Sequence, residues 1–241
     1  MTRFVSSRAV RVLTVAAAAA AGLAMAGPAH AAVEYGAHGF DVHFHGHQFA
    51  GGNWGGYVSF GSFTTATASW TEPTVTCRSS NDLFAPWVGI DGDGSSTVEQ
   101  TGVETDCSSG RAVYSAWYEM YPAAPVYYNV SVGAGDKITA TVTRTATNTY
   151  KLDLTDSTKG WTKTTTKTLT SKHASAEAII ESPTDSYPTI SGGIKFTGVK
   201  FNGTNLASTS PSALSADDRG TGTWTPGAIG SDGQSFTIAR R

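Results

Sequence analysis

The chain has 241 residues, of which only 15% are charged, and it carries 27 glycines and a formal net charge of −2. This length suits one large domain or two small ones, and the many Gly, Thr and Ser residues favour strands and turns over helices. The one basic cluster beyond the N-terminal segment is Arg240-Arg241. The composition therefore argues against a nucleic-acid partner, which requires a basic surface.

Residues 1–31 have the features of a secretion signal. Three arginines precede an Ala-rich apolar run over residues 12–27, and Ala29-His30-Ala31 is a small-x-small cleavage site. The apolar run is shorter than the roughly 20 residues that span a bilayer, and an uncleaved anchor is the alternative interpretation. We expect a secreted, extracellular protein without membrane contact after signal removal, and a mature charge near −5 because three of the basic residues are lost.

Residues 32–52 form a His-rich arm that carries His38, His43, His45 and His47. Alternate histidines in an extended segment share one face, which would allow a metal site. However, no Cys or clustered carboxylate completes such a site. We therefore predict a flexible, partly solvated arm, and we expect no metal and no cofactor.

Two cysteines remain in the exported chain, Cys77 and Cys107. An even number in an oxidising compartment predicts a disulfide, and a reactive thiol is the alternative. On the chain-entropy model, closing a loop of about 30 residues would stabilise the fold by roughly 3–4 kcal/mol.

From residue 53 to the end, the pattern is that of one all-β domain. Period-2 alternation and turn signals roughly every 8 to 12 residues indicate a sandwich or barrel. No repeat or second-domain boundary interrupts residues 53–241. The predicted strands include residues 63–70, 83–90, 112–121, 127–132, 137–145, 150–154, 161–169, 176–181, 195–201 and 235–239.

Polar side chains occur where core strands should carry none. Gln100 lies in the strand that follows a Gly/Asp turn, and Glu177 and Glu181 share one face of the strand at 176–181. A buried carboxylate or amide is costly unless it is hydrogen-bonded, so both invite a functional account. The simpler alternative is that one acid is solvated at the strand end and the other caps a neighbouring backbone. Our hypothesis is that Glu181 and Gln100 meet across a sheet as a peptide-hydrolysing pair.

The order of four motifs closely resembles the glutamic peptidases (eqolisins). The motifs are Asn53-Trp54-Gly55-Gly56, residues 87–93 leading to Gln100-Thr101-Gly102, residues 116–122, and residues 176–181. The resemblance covers about residues 53–183. It implies a concanavalin-like jelly roll, a sandwich of two large antiparallel sheets, and acid-active endopeptidase chemistry without a cofactor.

The same resemblance assigns roles to individual residues. It places the catalytic glutamine on Gln100 and the catalytic glutamate on Glu181 rather than Glu177. The positions that support the site or contact substrate are Trp54, Trp87, Asp91, Trp117, Glu119 and Tyr121.

In such chemistry, a carboxylate takes a proton from the attacking water and returns one to the leaving amine. An amide N–H can stabilise the developing oxyanion, typically by about 3–4 kcal/mol. An unperturbed Glu side chain has a pKa near 4.3. We therefore expect activity at acidic or mildly acidic pH, unless burial raises this pKa. The expected partners are protein or peptide substrates, and the expected state is a monomer.

Two features depart from the family pattern. Family members commonly follow the catalytic glutamate with an acid and an aromatic residue, whereas this chain has Ser182-Pro183. This difference leaves one wall of the cleft, and the substrate preference, open. The arm at 32–52 is also short for the inhibitory propeptide of fungal relatives. Either the arm serves as a small pro-segment, which is the interpretation we favour, or the enzyme needs none.

Two other functions fit a secreted sandwich of this size. A glucanase would use an E-x-D-x-E strand, but the run at 177–181 lacks the central acid. The Cα atoms of its two outer acids would stand about 13 Å apart on a flat strand, whereas retaining glycosidases need carboxyl groups about 5 Å apart, so strong bending would be required. A non-catalytic glycan-binding module with exposed Trp and Tyr side chains is the third hypothesis.

Overall fold

A computed structural model describes residues 52–241, so the predicted signal segment and all of the His-rich arm except Gly52 lie outside the described residues. The described chain is all-β and forms two large antiparallel sheets, which confirms the predicted sandwich. No helix in this part of the chain is long and apolar enough to cross a bilayer.

The strands are numbered in chain order. They are β1 (Trp54–Phe60), β2 (Thr65–Thr71), β3 (Val75–Thr76), β4 (Leu83–Asp91), β5 (Val98–Asp106), β6 (Val113–Tyr121), β7 (Val126–Tyr127), β8 (Lys137–Ala146), β9 (Thr149–Asp156), β10 (Trp161–Thr168), β11 (Ser175–Glu181), β12 (Thr189–Ile190), β13 (Ile194–Phe201), β14 (Thr204–Asn205), β15 (Ser212–Leu214), β16 (Ala216–Asp217), β17 (Thr223–Pro226) and β18 (Phe236–Arg240).

Two sheets hold almost all of these strands. The seven-stranded sheet has the order β15-β1-β11-β4-β5-β6-β7. The nine-stranded sheet has the order β10-β9-β8-β2-β13-β18-β17-β16, with β14 paired to β13. The short strands β3 and β12 pair with each other. In the seven-stranded sheet β11 lies between β1 and β4, so segments that are far apart in the sequence become neighbours.

Burial explains the different sequence patterns of the two sheets. All nine residues of β4 are buried, and the strand reads as an almost continuous apolar run. The strands β2 and β9 instead alternate between buried and partly exposed residues, because one of their faces meets solvent. The main core lies between the sheets and includes Phe84, Val88 and Ile180 from one sheet and Leu152 and Phe196 from the other.

One predicted strand is wrong in extent. The structure has only Val126–Tyr127 in place of a strand over 127–132. The Tyr128 N–H still donates to Ala116, but the Val130 N–H turns back onto the Tyr128 carbonyl, and this tight turn takes the chain out of the sheet. The short strands β14 to β17 were not predicted, since two to four residues are too few for a period to show.

The predicted disulfide is confirmed. Cys77, just after β3, bonds to Cys107, just after β5, with a Cα–Cα distance of 5.6 Å and a sequence separation of 30. It ties the loop before β4 to the end of β5, and so fixes two strands that carry site residues.

Candidate active site

The seven-stranded sheet has a second hydrophobic cluster on the face opposite the main core. We call this face the site face. Its apolar residues are Trp54, Val58, Ala85, Trp87, Val98, Trp117, Ile179 and Leu214. Strand alternation places Gln100, Glu119, Glu177 and Glu181 on the same face, because each lies an even number of residues from a member of this cluster. The residues named from the motifs therefore share one surface of one sheet.

Gln100 belongs to a row of paired residues that crosses four strands, three of which contribute a polar side chain. It lies opposite Glu119 on β6 and opposite Gly89 on β4. Glu177 on β11 faces Gly89 from the other side. The Gln100 Nε2 donates to Glu119 Oε2 at 2.6 Å. Glu177 is therefore the acid in register with Gln100, with only a glycine between them.

Glu181 lies in another row, four residues further along β11. It pairs with Trp54 on β1 and with Ala85 on β4. Its Oε1 accepts from Asn53 Nδ2 at 2.5 Å, and its Oε2 accepts from Trp87 Nε1 at 3.1 Å. Two N–H donors directed at its two oxygens suit a charged carboxylate.

The Trp87 indole occupies the space between these two rows. One end donates to Glu181, and the other leans over Gly89. A Cβ at Gly89 would lie 2.8 Å from Trp87 Cζ3, 3.3 Å from Gln100 Cβ and 3.2 Å from Glu177 Oε1. Gln100 and Glu181 are two strands and four residues apart in the sheet. In a flat sheet this offset would separate their Cα atoms by roughly 16 Å.

Gly102, the glycine of the Gln100-Thr101-Gly102 motif, is needed for the same packing. A Cβ there would stand 2.3 Å from the Pro86 carbonyl oxygen and 2.7 Å from Trp87 Cβ. Glycine thus allows β5 to lie close against β4 beside the indole.

The other motif residues lie around this centre. Trp54 packs edge-on against Trp87 with ring centroids 4.8 Å apart. Trp117 pairs with Gly102, and Tyr121 pairs with Val98. All are buried or half-buried.

Asp91 has a structural position at the end of β4. Its two carboxylate oxygens accept from the backbone N–H groups of His173 and Ala174, each at 2.7 Å. It therefore fixes the segment that leads into β11 and its two glutamates.

The sequence interpretation missed several groups of the site face. Asn53 was quoted only as part of a motif, although it donates to Glu181. Glu104 on β5 is buried and accepts from the Tyr127 hydroxyl at 2.8 Å. The signal for Glu104 was its even spacing from Gln100, which puts it on the same face.

Ser182 and Pro183, which replace the usual acid and aromatic pair, begin a tight turn. The Ser182 hydroxyl donates to the Ser186 carbonyl and accepts from the Ser186 N–H at 3.0 Å. Hydrogen bonds between the Ser182 side chain and the Ser186 backbone thus fix the chain directly after Glu181.

Burial raises the pKa of several carboxyls on and beneath the site face. The pKa of Glu119 is raised to about 8, and the hydrogen bond from Gln100 lowers it only in part. Burial also raises the pKa of Glu104 to about 7 and that of Glu177 well above its usual range. Glu99, which points toward the other sheet, has its pKa raised to about 9 by burial and by the Asp91 charge. These groups are neutral in acid.

Comparison with known proteins identifies the family. The chain is a two-sheet antiparallel sandwich, and over most of its length, residues 52–225, its sequence matches the Peptidase A4 family. The chain belongs to the Peptidase A4 family.

Individual relatives show the same likeness. The chain is 39% identical to scytalidopepsin B of Scytalidium lignicola over 97 residues, which are 39% of this chain and 36% of that protein. The match thus spans about a third of the relative's length.

Solved structures share the fold. A scytalido-glutamic peptidase bound to a peptide-based transition-state analogue superposes with a TM-score of 0.65 at 23% identity, covering 80% of this chain and all of the other. The aspergilloglutamic peptidase of Aspergillus niger gives 0.53 at 24% identity, covering 66% and 99%.

Neither alternative function finds support on the site face. The strand β11 pairs residue for residue with β1 and β4, so no bulge brings Glu177 and Glu181 to the spacing of a retaining glycosidase. The tryptophans of this face, Trp54, Trp87 and Trp117, are fully buried, so they form no exposed platform for sugars.

We predict that stability falls as pH rises. Glu72, Glu99 and Glu119 have pKa values raised to about 8 to 9, while unfolded Glu titrates near pH 4.3. Between these values the folded state holds more protons than the unfolded state, so unfolding becomes easier with each rise in pH. Calorimetry at pH 4, 6 and 8 should show a steadily decreasing Tm.

The matched control is Glu99→Gln, which is nearly isosteric and does not titrate. Its Tm should depend less on pH than that of the wild type between pH 5 and 9. A wild-type Tm that is flat or rises over this range would contradict the prediction.

Proposed function

We propose that this protein is a secreted, acid-active endopeptidase that hydrolyses peptide bonds through Glu181, Gln100 and an activated water. Membership of the Peptidase A4 family supports peptide hydrolysis. The observation that supports this choice of residues most directly is the pair of N–H donors, from Asn53 and Trp87, that hold the Glu181 carboxylate.

Glu181 is proposed as general base and then general acid. With both oxygens held by N–H donors, the carboxylate keeps a fixed direction and can take a proton from water as it attacks the scissile carbonyl. The same group then gives a proton to the leaving amine. Proton transfer by a positioned side chain typically contributes a factor of about 10² to 10⁴.

Gln100 is proposed as the oxyanion donor. Its Nε2 carries two N–H bonds, of which one is directed to Glu119, so the second can reach the carbonyl oxygen of a substrate. Its Oε1 has no hydrogen-bond partner among residues 52–241 and can accept from a water or a peptide N–H. Gln100 and Glu181 lie on the same face of one sheet, two strands and four residues apart, so a bound peptide would have to bridge this offset to meet both groups.

Peptides are the proposed substrates. A related structure, SCP-B of the eqolisin family, was solved in complex with the tripeptide Ala-Ile-His; it has a TM-score of 0.61 at 22% identity and covers 80% of this chain and 100% of its own. We propose that a peptide lies across the site face of this chain in a similar way. The proposal requires no metal or organic cofactor, and the monomeric state remains a prediction.

The first test removes each proposed catalytic group. Glu181→Gln should lower kcat on denatured casein at pH 3–6 by about 10² to 10⁴, and Gln100→Ala by about 10² to 10³. Both variants should keep the wild-type circular dichroism spectrum. A folded Glu181→Gln variant with wild-type turnover would overturn the assignment.

The second test concerns Glu119 as a positioning residue. Because its pKa is raised to about 8 by burial, Glu119 is neutral in acid, and Gln at this position keeps an acceptor of the same size. We expect Glu119→Gln to keep kcat at pH 4 within a few-fold. Glu119→Leu removes the acceptor for Gln100 and should lower kcat on the order of 10-fold to 100-fold, with less change in KM.

Equal loss in the two variants would mean that Glu119 does not act through its hydrogen bond to Gln100. Thermal unfolding of both, beside the wild type, separates a positioning effect from a loss of fold.

The segments before the sandwich domain bear on how the protein matures. We propose that residues 1–31 are removed on export and that residues 32–52 act as a short pro-segment. Their end adjoins Asn53, the residue that donates to Glu181. Intact mass measurement of the secreted protein before and after incubation at pH 4 should show the loss of residues 32–52. A stable mass that includes the arm, with full activity, would reject this proposal.

A further inference from the structure

The outward face of the nine-stranded sheet carries rows of hydroxyl groups in register. One row crosses five neighbouring strands from β13 to β10 and has a hydroxyl on each. Its members are Thr197, Ser69, Thr139, Thr155 and Thr162. With strands about 4.8 Å apart, the row is roughly 19 Å long. We call it the hydroxyl row.

Hydrogen bonds join neighbouring hydroxyls within this row. The Ser69 and Thr139 hydroxyls lie 2.8 Å apart, and those of Thr155 and Thr162 lie 3.0 Å apart. The next row along the strands repeats the arrangement, with the Thr67 and Thr141 hydroxyls 2.8 Å apart. The result is a broad polar surface made mostly of short β-branched side chains.

A pocket of about 510 Å³ opens at the β13 end of the hydroxyl row. Its lining includes the first three hydroxyls of the row, together with Lys137, Lys195 and Glu72. The pocket therefore combines hydroxyl groups, two cationic side chains and one buried carboxyl.

Lysines give this face a positive charge. No lysine or arginine occurs in the strands of the seven-stranded sheet, whereas Lys137, Lys151, Lys195 and Lys200 all stand on the outward face of the nine-stranded sheet. Two acids stand on the same outward face: Asp153, which pairs with Lys151 at 2.8 Å, and Asp217 on the far edge strand β16, which accepts from the Gly220 N–H.

The two pocket lysines are available to a ligand. Within residues 52–241, Lys137 and Lys195 make no ion pair with an acidic side chain closer than 4 Å. Asp232 is near Lys195, but its carboxylate already accepts from the Gln234 N–H and from Ser235.

Glu72 adds a second indication of a ligand. It is 1% exposed, and its Oε1 accepts from the Trp70 indole. Its Oε2 has no hydrogen-bond partner in the described part of the chain. Burial raises the pKa of Glu72 to about 8, so in acid it is an O–H that can donate to, and accept from, a hydroxyl.

We propose that this face binds an acidic polysaccharide of the polyuronate type. Sugar carboxylates would pair with Lys137 and Lys195 in the pocket, and sugar hydroxyls would bond to Glu72 and along the hydroxyl row. The row is long enough for several consecutive sugars. Recognition here depends on charge and hydrogen bonds, because the aromatic ring in the pocket lining, that of Trp70, is only 3% exposed.

The proposed site lies on the sheet opposite the site face, so binding and hydrolysis can proceed at once. A peptidase held in this way would cleave proteins embedded in an acidic glycan. The proposal is independent of the peptidase proposal, since binding requires no turnover.

Co-sedimentation and calorimetry with polygalacturonate at pH 5 and low salt test it. We expect wild type and Glu181→Gln to bind equally. Lys137→Gln/Lys195→Gln should weaken binding at least 10-fold, and Thr139→Val/Thr155→Val should weaken it several-fold. Fully methyl-esterified polygalacturonate, which has the same backbone without charge, should bind at least 10-fold more weakly than the acid form.

The matched control is Lys163→Gln/Lys167→Gln, which makes the same change in charge on the opposite side of β10, where Lys167 lies over Tyr118. It should bind as the wild type does. Absence of wild-type binding, equal binding of the methyl ester, or equal loss in the control and the pocket variant would each overturn the proposal. Circular dichroism should show that every lysine and threonine variant is folded, and casein turnover of each should match the wild type.

Discussion

Trp87 packs across its own sheet, and this packing requires that two neighbouring positions have no side chain. A Cβ at Gly89 or Gly102 would come within 2.8 Å of the Trp87 side chain. With that space open, the indole reaches from Glu181 to the row of Gln100. The indole thus lies against both the acid and the row of the amide, and the aromatic residues Trp54 and Trp117 pack in the same cluster.

The faces of the strands could be predicted from the sequence, whereas their register could not. Period-2 alternation was enough to put Glu177 and Glu181 on one face and Gln100 with Gly102. That Glu177, rather than Glu181, is in register with Gln100 depends on how β11, β4 and β5 pair. Such pairing is a property of contacts between distant segments, and no single segment records it.

The hydrogen bonds of the site were beyond prediction for the same reason. Asn53 and Glu181 are 128 residues apart and touch only because β1 and β11 are neighbours. The two sheets also differ in charge: most of the carboxyls that stand in strands belong to the seven-stranded sheet, and the outward lysines belong to the other. The formal net charge of the whole chain is only −2, and a net charge does not show how charges are distributed between the two sheets.

The strand β10 forms one edge of the nine-stranded sheet, and its eight residues pair with no further strand on that side within residues 52–241. Such an edge could pair with the same edge of a second molecule and start an aggregate. Lys163 and Lys167 stand on this strand, and two like charges facing each other across such a junction repel. This repulsion would help a protein with a long open edge to stay dispersed at high concentration.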